Sequence, residues 1–227
     1  MSKVILNKLE PTGGNSYIAI WQNAIDPEKQ REYIDWQSSR ETFVGGTTPF
    51  GIVPRSQYFS HMDGRNFNNK WKDQTNPRWT SVKYDTTLLE LQAFVQSQLH
   101  TFGFEGIESV QYPTINSCLI NKYVGGDNSI RAHRDNQTSF GPTPTVIGVS
   151  LGEEREIVFK RIIYDPERMS SIKEDRENPE EIRIKLKSGS MFVMGGEVQK
   201  YYSHEIPKCK DSTGTRYSLT FREHINE

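Results

Sequence analysis

The 227-residue chain contains little that would staple, anchor or strongly charge it. Its two cysteines, Cys118 and Cys209, have no CxxC or other metal-site spacing. That argues against a disulfide scaffold and fits free thiols in a reducing compartment inside the cell, cytoplasm or nucleus. No apolar run approaches the roughly 20 residues that cross a bilayer. Met1 to Glu10 also lacks the long apolar stretch of a signal peptide, so neither membrane insertion nor export by that route is expected. Net charge is nearly absent, with 28 basic against 29 acidic side chains. No global field would therefore draw in a polyanion, and any nucleic-acid contact must be local. Gly/Ser tracts, Pro tracts and internal repeats are missing as well, so one compact monomeric domain over residues 1–227 is expected.

What is present falls into two textures. Ile25-Asp26-Pro27-Glu28 reads as a helix entrance, with Asp capping free N–H groups and Pro at the first helical position, and the helix should run to about Ser39. Between Gly45 and Trp79 the composition turns to Gly, Pro, Asn, Ser and aromatics, which predicts loops with isolated strands. Thr87-Leu88-Leu89-Glu90 matches a capping box. Leu88, Leu91, Val95 and Leu99 then recur at helical spacing up to Gly103, an amphipathic helix with its stripe against a sheet. From Thr114 onward, short runs rich in Ile, Val, Leu, Phe and Tyr alternate with turns such as Gly125-Gly126-Asp127-Asn128 and Gly195-Gly196, and helix signals vanish. About seven or eight strands at this spacing predict an antiparallel sandwich or jelly roll with helices on one outer face. The polar stretch from Asp165 to Glu181 is expected to be a mobile insertion between strands.

Chemistry concentrates in this second half. His133 and Asp135 are two apart at the start of a predicted strand, so both side chains point to one face while Arg134 turns away. Alone, either residue is more often a surface or structural one than a ligand. A second histidine, His204, lies on a segment that a jelly roll could bring alongside. Two imidazoles and one carboxylate on one face of an octahedron leave three positions open, which suits non-haem iron(II) better than zinc. In Arg216-Tyr217-Ser218-Leu219-Thr220-Phe221-Arg222, strand periodicity separates Arg216, Ser218, Thr220 and Arg222 from the apolar positions. Either this is an exposed edge strand with solvated guanidinium groups, or the arginines face inward to meet an anion such as a dicarboxylate. Asn121 and Tyr123 stand at the other end of the hairpin that returns His133, within reach of the same anion.

Over residues 114 to 224 the chain resembles the AlkB family of iron and 2-oxoglutarate dioxygenases. The likeness rests on Asn121-Lys122-Tyr123, His133-Arg134-Asp135, Ser150-Leu151-Gly152, Val158-Phe159-Lys160, His204 and Arg216 through Arg222, in that order. Pro54-Arg55-Ser56-Gln57 is similar to the start of the nucleotide-recognition lid in the nucleic-acid demethylase branch. The resemblance implies a mainly β fold with flanking helices: a double-stranded β-helix (jelly roll) core at 114–227, preceded by N-terminal helices and a lid at 1–113. It implies that His133, Asp135 and His204 bind Fe(II). Arg216 and Tyr123 would hold the distal carboxylate of 2-oxoglutarate, with Arg222 and Asn121 near the end that chelates the metal. Ser218 stands where relatives near this branch often carry Asn, so one contact to the cosubstrate is altered. Asn136 and Gln137 follow Asp135 where relatives commonly have acidic groups, which bears on lesion preference.

The implied reaction uses Fe(II), 2-oxoglutarate and O2 to remove N-alkyl groups from nucleobases such as 1-methyladenine and 3-methylcytosine, releasing formaldehyde, succinate and CO2. Its partner would be alkylated DNA or RNA, single-stranded or with the base flipped out. Substrate contacts are expected from Arg55, Phe67, Trp71, Asn136 and Gln137, because aromatic and basic residues interleave between Arg65 and Lys72. Lys160, Arg161, Lys208 and Lys210 would extend a phosphate-binding rim. The alternative is a 2-oxoglutarate oxygenase acting on a protein or lipid, since the metal site does not choose the substrate.

Overall fold

The computed structural model describes residues 3–48, 51–67, 77–101, 107, 110, 112–166 and 172–225. Strands β1 (Lys3–Leu9) and β2 (Asn15–Trp21) lead into helix α1 (Pro27–Ser38). A small hairpin of β3 (Thr47–Thr48) and β4 (Gly51–Ile52) follows, then β5 (Ser56–His61), β6 (Ser81–Val82) and helix α2 (Thr86–Thr101). The second half contains β7 (Ser117–Val124), β8 (Ile130–His133), α3 (Gln137–Phe140), β9 (Val146–Gly152) and β10 (Arg155–Arg161). It ends with β11 (Glu181–Leu186), β12 (Ser190–Gly196), α4 (Val198–Tyr201), β13 (Tyr202–Ile206) and β14 (Thr215–Arg222).

Among the described residues the main sheet has the order β1-β2-β12-β9-β14-β7-β5-β6, and the smaller sheet β11-β10-β13-β8. The two face each other as a mainly β jelly roll. Strands in the middle of the main sheet are buried on both faces, which is why β9 and β12 read as nearly unbroken apolar runs. Ile147, Val149, Leu151, Met191 and Val193 face the helices, with the α2 stripe of Leu88, Leu91, Val95 and Leu99 buried against the same cluster. Burying those four side chains contributes roughly 6–12 kcal/mol as an upper figure. Val146, Phe192 and Met194 face inward with Ile157, Phe159, Ile184 and Leu186 of the small sheet. Gly148 pairs with Phe192, and a Cβ there would meet the Phe192 ring at 1.9 Å, so only glycine lets that ring lie across the sheet.

Several local expectations shift. Asp26 does cap α1, accepting from the Glu28 and Lys29 amides. At α2 the cap is Asp85 rather than Thr87: the Leu88 amide donates to its carboxylate at 2.9 Å. An ionised carboxylate two residues upstream is the stronger acceptor. Strands β1 and β2 extend the main sheet although the opening residues gave no clear signal. One-turn helices α3 and α4 interrupt the strand-rich half, too short to leave a periodicity. Residues 172–180 of the expected mobile insertion are tied down: Glu174 bridges to Ile162, and Asp175 and Glu180 lie near the Arg161 guanidinium. Residues 167–171 of that insertion lie outside the described residues.

Candidate active site

In register, His204 of β13 sits directly opposite His133 of β8. Cross-strand neighbours share a face, so the two rings come within 4.2 Å, centroid to centroid. Asp135, two residues beyond His133, turns back to the same spot. The ligand atoms of all three lie within 4.8 Å of one another. Each imidazole Nε2 stands 3.9 Å from Asp135 Oδ1, too far for a hydrogen bond. Three lone-pair donors held close, yet out of hydrogen-bond reach of each other, fit a cation between them.

Protonation states agree with that fit. Burial lowers His133, and burial together with the neighbouring His133 pushes His204 down to about 3. Both rings are therefore neutral near pH 7. The Nδ1–H of His133 donates to the Arg131 carbonyl at 2.9 Å, which leaves the Nε2 lone pair aimed at the cluster. Burial would raise Asp135, but the Arg222 guanidinium, which also donates to it, outweighs that, and the carboxyl stays below its usual range. A carboxylate and two neutral imidazoles are the forms that bind a divalent ion.

A cavity of about 70 Å³ extends from this cluster between the sheets. Asn121, Tyr123, Arg216, Ser218, Thr220 and Arg222 supply its polar lining, and Ile130, Val146, Ile157, Leu186, Phe192 and Met194 its apolar wall. The alternation read in β14 is realised: Tyr217, Leu219 and Phe221 lie in the helix-side core. Arg216 is 1% exposed. Its Nε donates to Ser150 Oγ at 2.8 Å and Nη2 to Ser218 Oγ at 3.3 Å, while Nη1 has no partner among the described residues. The guanidinium carbon lies 5.3 Å from the Tyr123 ring centroid. Burial lowers Arg216 to about 10, with Tyr123 opposing that shift and Arg155 adding to it. A buried cation with one donor unused fits an anionic ligand. Arg222 is used differently: its Nε donates to Asp135 Oδ2 at 2.9 Å, and the guanidinium lies over Phe140.

The substrate-side expectations divide. Arg55 reaches the site, its Nε donating to Asn121 Oδ1 at 2.7 Å. Phe67 is no exposed stacking platform: it is 5% exposed and packs against Phe59, Trp79, Phe140 and His224. An aromatic ring in that loop gains more from burial than from waiting for a base. Trp71, with Asn68, Asn69, Lys70 and Lys72, lies outside the described residues. Asn136 caps α3, its Oδ1 accepting from the Ser139 amide at 3.0 Å, and neither Asn136 nor Gln137 lines the cavity. The basic rim is also corrected in part. Arg161 is committed to the buried Glu10 at 2.9 Å and Lys160 pairs with Glu205 at 3.2 Å, while Lys208 stays exposed beside Asp127 and Lys210 is exposed. Two contributors were given no role from the sequence: Ser150, which supports Arg216, and Gln199, which contacts Asp135.

Comparison with known proteins converges on the same chemistry. The model of the 2OG-Fe(II) oxygenase superfamily matches residues 19–222. The chain is 36% identical over 118 residues to the DNA oxidative demethylase ALKBH2 of Arabidopsis thaliana, covering 47% of this chain and 37% of that protein. It is 31% identical over 116 residues to the alpha-ketoglutarate-dependent dioxygenase alkB homolog 3 of Mus musculus, covering 51% and 39% respectively. The matched stretch thus spans about two fifths of those relatives. Among solved structures, OsALKBH1 superposes with a TM-score of 0.65 at 14% identity, covering 91% of this chain and 96% of that one, a likeness of fold. No helix among the described residues is long and apolar enough to cross a membrane. By the span of its superfamily match, the chain belongs to the 2OG-Fe(II) oxygenases, oxidoreductases that work with Fe(II), 2-oxoglutarate and dioxygen.

Proposed function

We propose that the chain removes alkyl groups from the ring nitrogens of nucleobases in DNA or RNA, 1-methyladenine and 3-methylcytosine among them. The oxidation consumes 2-oxoglutarate and dioxygen and yields formaldehyde, succinate and carbon dioxide. The placement of the His133, Asp135 and His204 donors and the Arg216 guanidinium on one cavity supports the oxygenase chemistry, and the choice of nucleobases rests on the relatives. The named activity of the ALKBH2-type relatives points the same way.

In this reading His133, Asp135 and His204 hold the iron, which when bound supplies the oxidising power. Arg216, with Tyr123 and Ser218 beside it, receives the far carboxylate of 2-oxoglutarate on its unused donor. Arg55 holds the Asn121 carbonyl oxygen, and that fixes which edge of the amide, the donor, is left for the cosubstrate. The apolar wall excludes water from the reacting carbon. A base stacked in a duplex cannot enter such a cavity, so the substrate is a single strand or a flipped nucleotide.

The test is a panel of 1-methyladenine and 3-methylcytosine in single- and double-stranded DNA and RNA, with methylated peptides alongside, assayed for formaldehyde with Fe(II) and 2-oxoglutarate supplied. Release from oligonucleotides but not peptides is expected. Release from peptides alone would overturn the nucleobase assignment and leave the oxygenase chemistry standing.

A further inference from the structure

Gln199 belongs to the one-turn helix α4, five residues before His204 and far in sequence from His133 and Asp135. It is 2% exposed, so its amide must find partners inside the protein. Both partners are in one residue. The Gln199 Nε2–H donates to Asp135 Oδ2 at 3.2 Å, and the Asp135 backbone N–H donates to Gln199 Oε1 at 3.1 Å. The two bonds are complementary, donor to acceptor and acceptor to donor, and a flipped amide would set oxygen against carboxylate. Arg222 Nε also donates to Oδ2, at 2.9 Å. Oδ2 is thus occupied by two donors. Oδ1 is the oxygen turned toward both imidazoles, 3.9 Å from each.

We infer that Gln199 is a positioning residue for the metal centre: its amide clasps Asp135 by backbone and carboxylate together, so that Oδ1 alone is presented to the cation. The clasp also joins the two arms of the site, because Asp135 follows β8 while Gln199 leads into the strand that bears His204. Arg222 cannot replace it, since a guanidinium has no acceptor for the Asp135 amide. Removing Gln199 leaves a buried N–H unpaired and the carboxylate free to turn about its single remaining bond. Outer partners of this kind typically change metal affinity by roughly 10- to 100-fold.

The inference rests on the ligand assignment proposed above, and the experiment separates the two. Co(II) is titrated into the metal-free chain and followed by its visible absorption, for the unaltered protein and for Asp135→Ala, Gln199→Met and Gln199→Glu. Gln199→Met keeps the volume and loses both hydrogen bonds. Gln199→Glu keeps the acceptor for the Asp135 amide and loses the donor to Oδ2, so it reports on the carboxylate contact should the Met variant fail to fold. Circular dichroism of each metal-free variant reports folding independently. The expected result is Co(II) affinity lowered about 10- to 100-fold in the folded Gln199 variants, with an altered absorption envelope, and lost in Asp135→Ala. Gln199 variants that bind within twofold of the unaltered chain, while Asp135→Ala does not bind, would overturn the clasp and leave the ligands in place. Asp135→Ala binding like the unaltered chain would overturn the ligand assignment itself.

Discussion

Replacing Arg216 by Met should weaken 2-oxoglutarate binding strongly without weakening the fold. Holding the Arg216 charge at a site that pulls it down to about 10 costs on the order of 3 kcal/mol. A carboxylate on the unused Nη1 side recovers much of that. Loss of the pairing therefore lowers affinity by roughly 100-fold. In the metal-loaded but ligand-free protein the same substitution removes an uncompensated buried charge, a change that is commonly neutral or stabilising. Freeing the Ser150 and Ser218 hydroxyls opposes this by about 1 kcal/mol each, so the two effects nearly cancel. The assay is thermal unfolding with Mn(II) under anaerobic conditions, with and without 2-oxoglutarate. At about 100 times its dissociation constant the ligand stabilises the unaltered protein by about 2.7 kcal/mol, which for a chain of this size is a rise of roughly 5–10 °C. At the same concentration the variant should rise by only about 1–2 °C. A variant that keeps the full ligand-induced rise, or whose ligand-free form loses more than about 3 kcal/mol, would refute the reasoning.

Phe67→Ala should lose about 3–5 kcal/mol of stability in urea unfolding, because the ring sits in a buried aromatic cluster; a fully stable variant would return Phe67 to a surface role. Acid should destabilise the metal-free protein. His61, His133, His204 and His224 are all lowered by burial, so the unfolded chain binds more protons than the folded one. Stability present above about pH 6.5 is then lost as pH falls below it, and an unchanged urea midpoint between pH 7.5 and 5.5 would count against this. Gly126→Ala should disrupt the turn that delivers β8, since a Cβ there would meet the Cys209 carbonyl oxygen at 1.6 Å. The readout is reduced Co(II) affinity together with a lower thermal midpoint.

Much of this architecture was legible in the sequence where a period or a pairing rule applies. The α2 stripe and the alternation of β14 follow from spacing alone, and both faces of β14 bury what their residue types demand. His133 and Asp135 share a face by strand geometry. What brought His204 to them was strand pairing across a long separation, which no local pattern encodes and which the family likeness supplied. Phe67 was misread because an aromatic among polar residues has the same appearance in sequence whether its ring is exposed or folded under. Arg161 was misread because its acidic partner, Glu10, is remote in the chain. Gln199 was invisible because a single amide carries no period and helix α4 is one turn long.

Strand β8 is the outermost member of its sheet, joined to β13 at His133 and Ile130 with an irregularity between. Two paired positions make a weak seam, and edges with few cross-strand bonds are where native proteins open first. An ion gripped from both sides of that seam is also a fastener, closing the long stretch of chain between its ligands much as a cross-link would. Stripping the ion with a chelator should therefore register as faster amide exchange around residues 130–135 before any global loosening, which makes cofactor loading a determinant of how long the protein survives proteolysis.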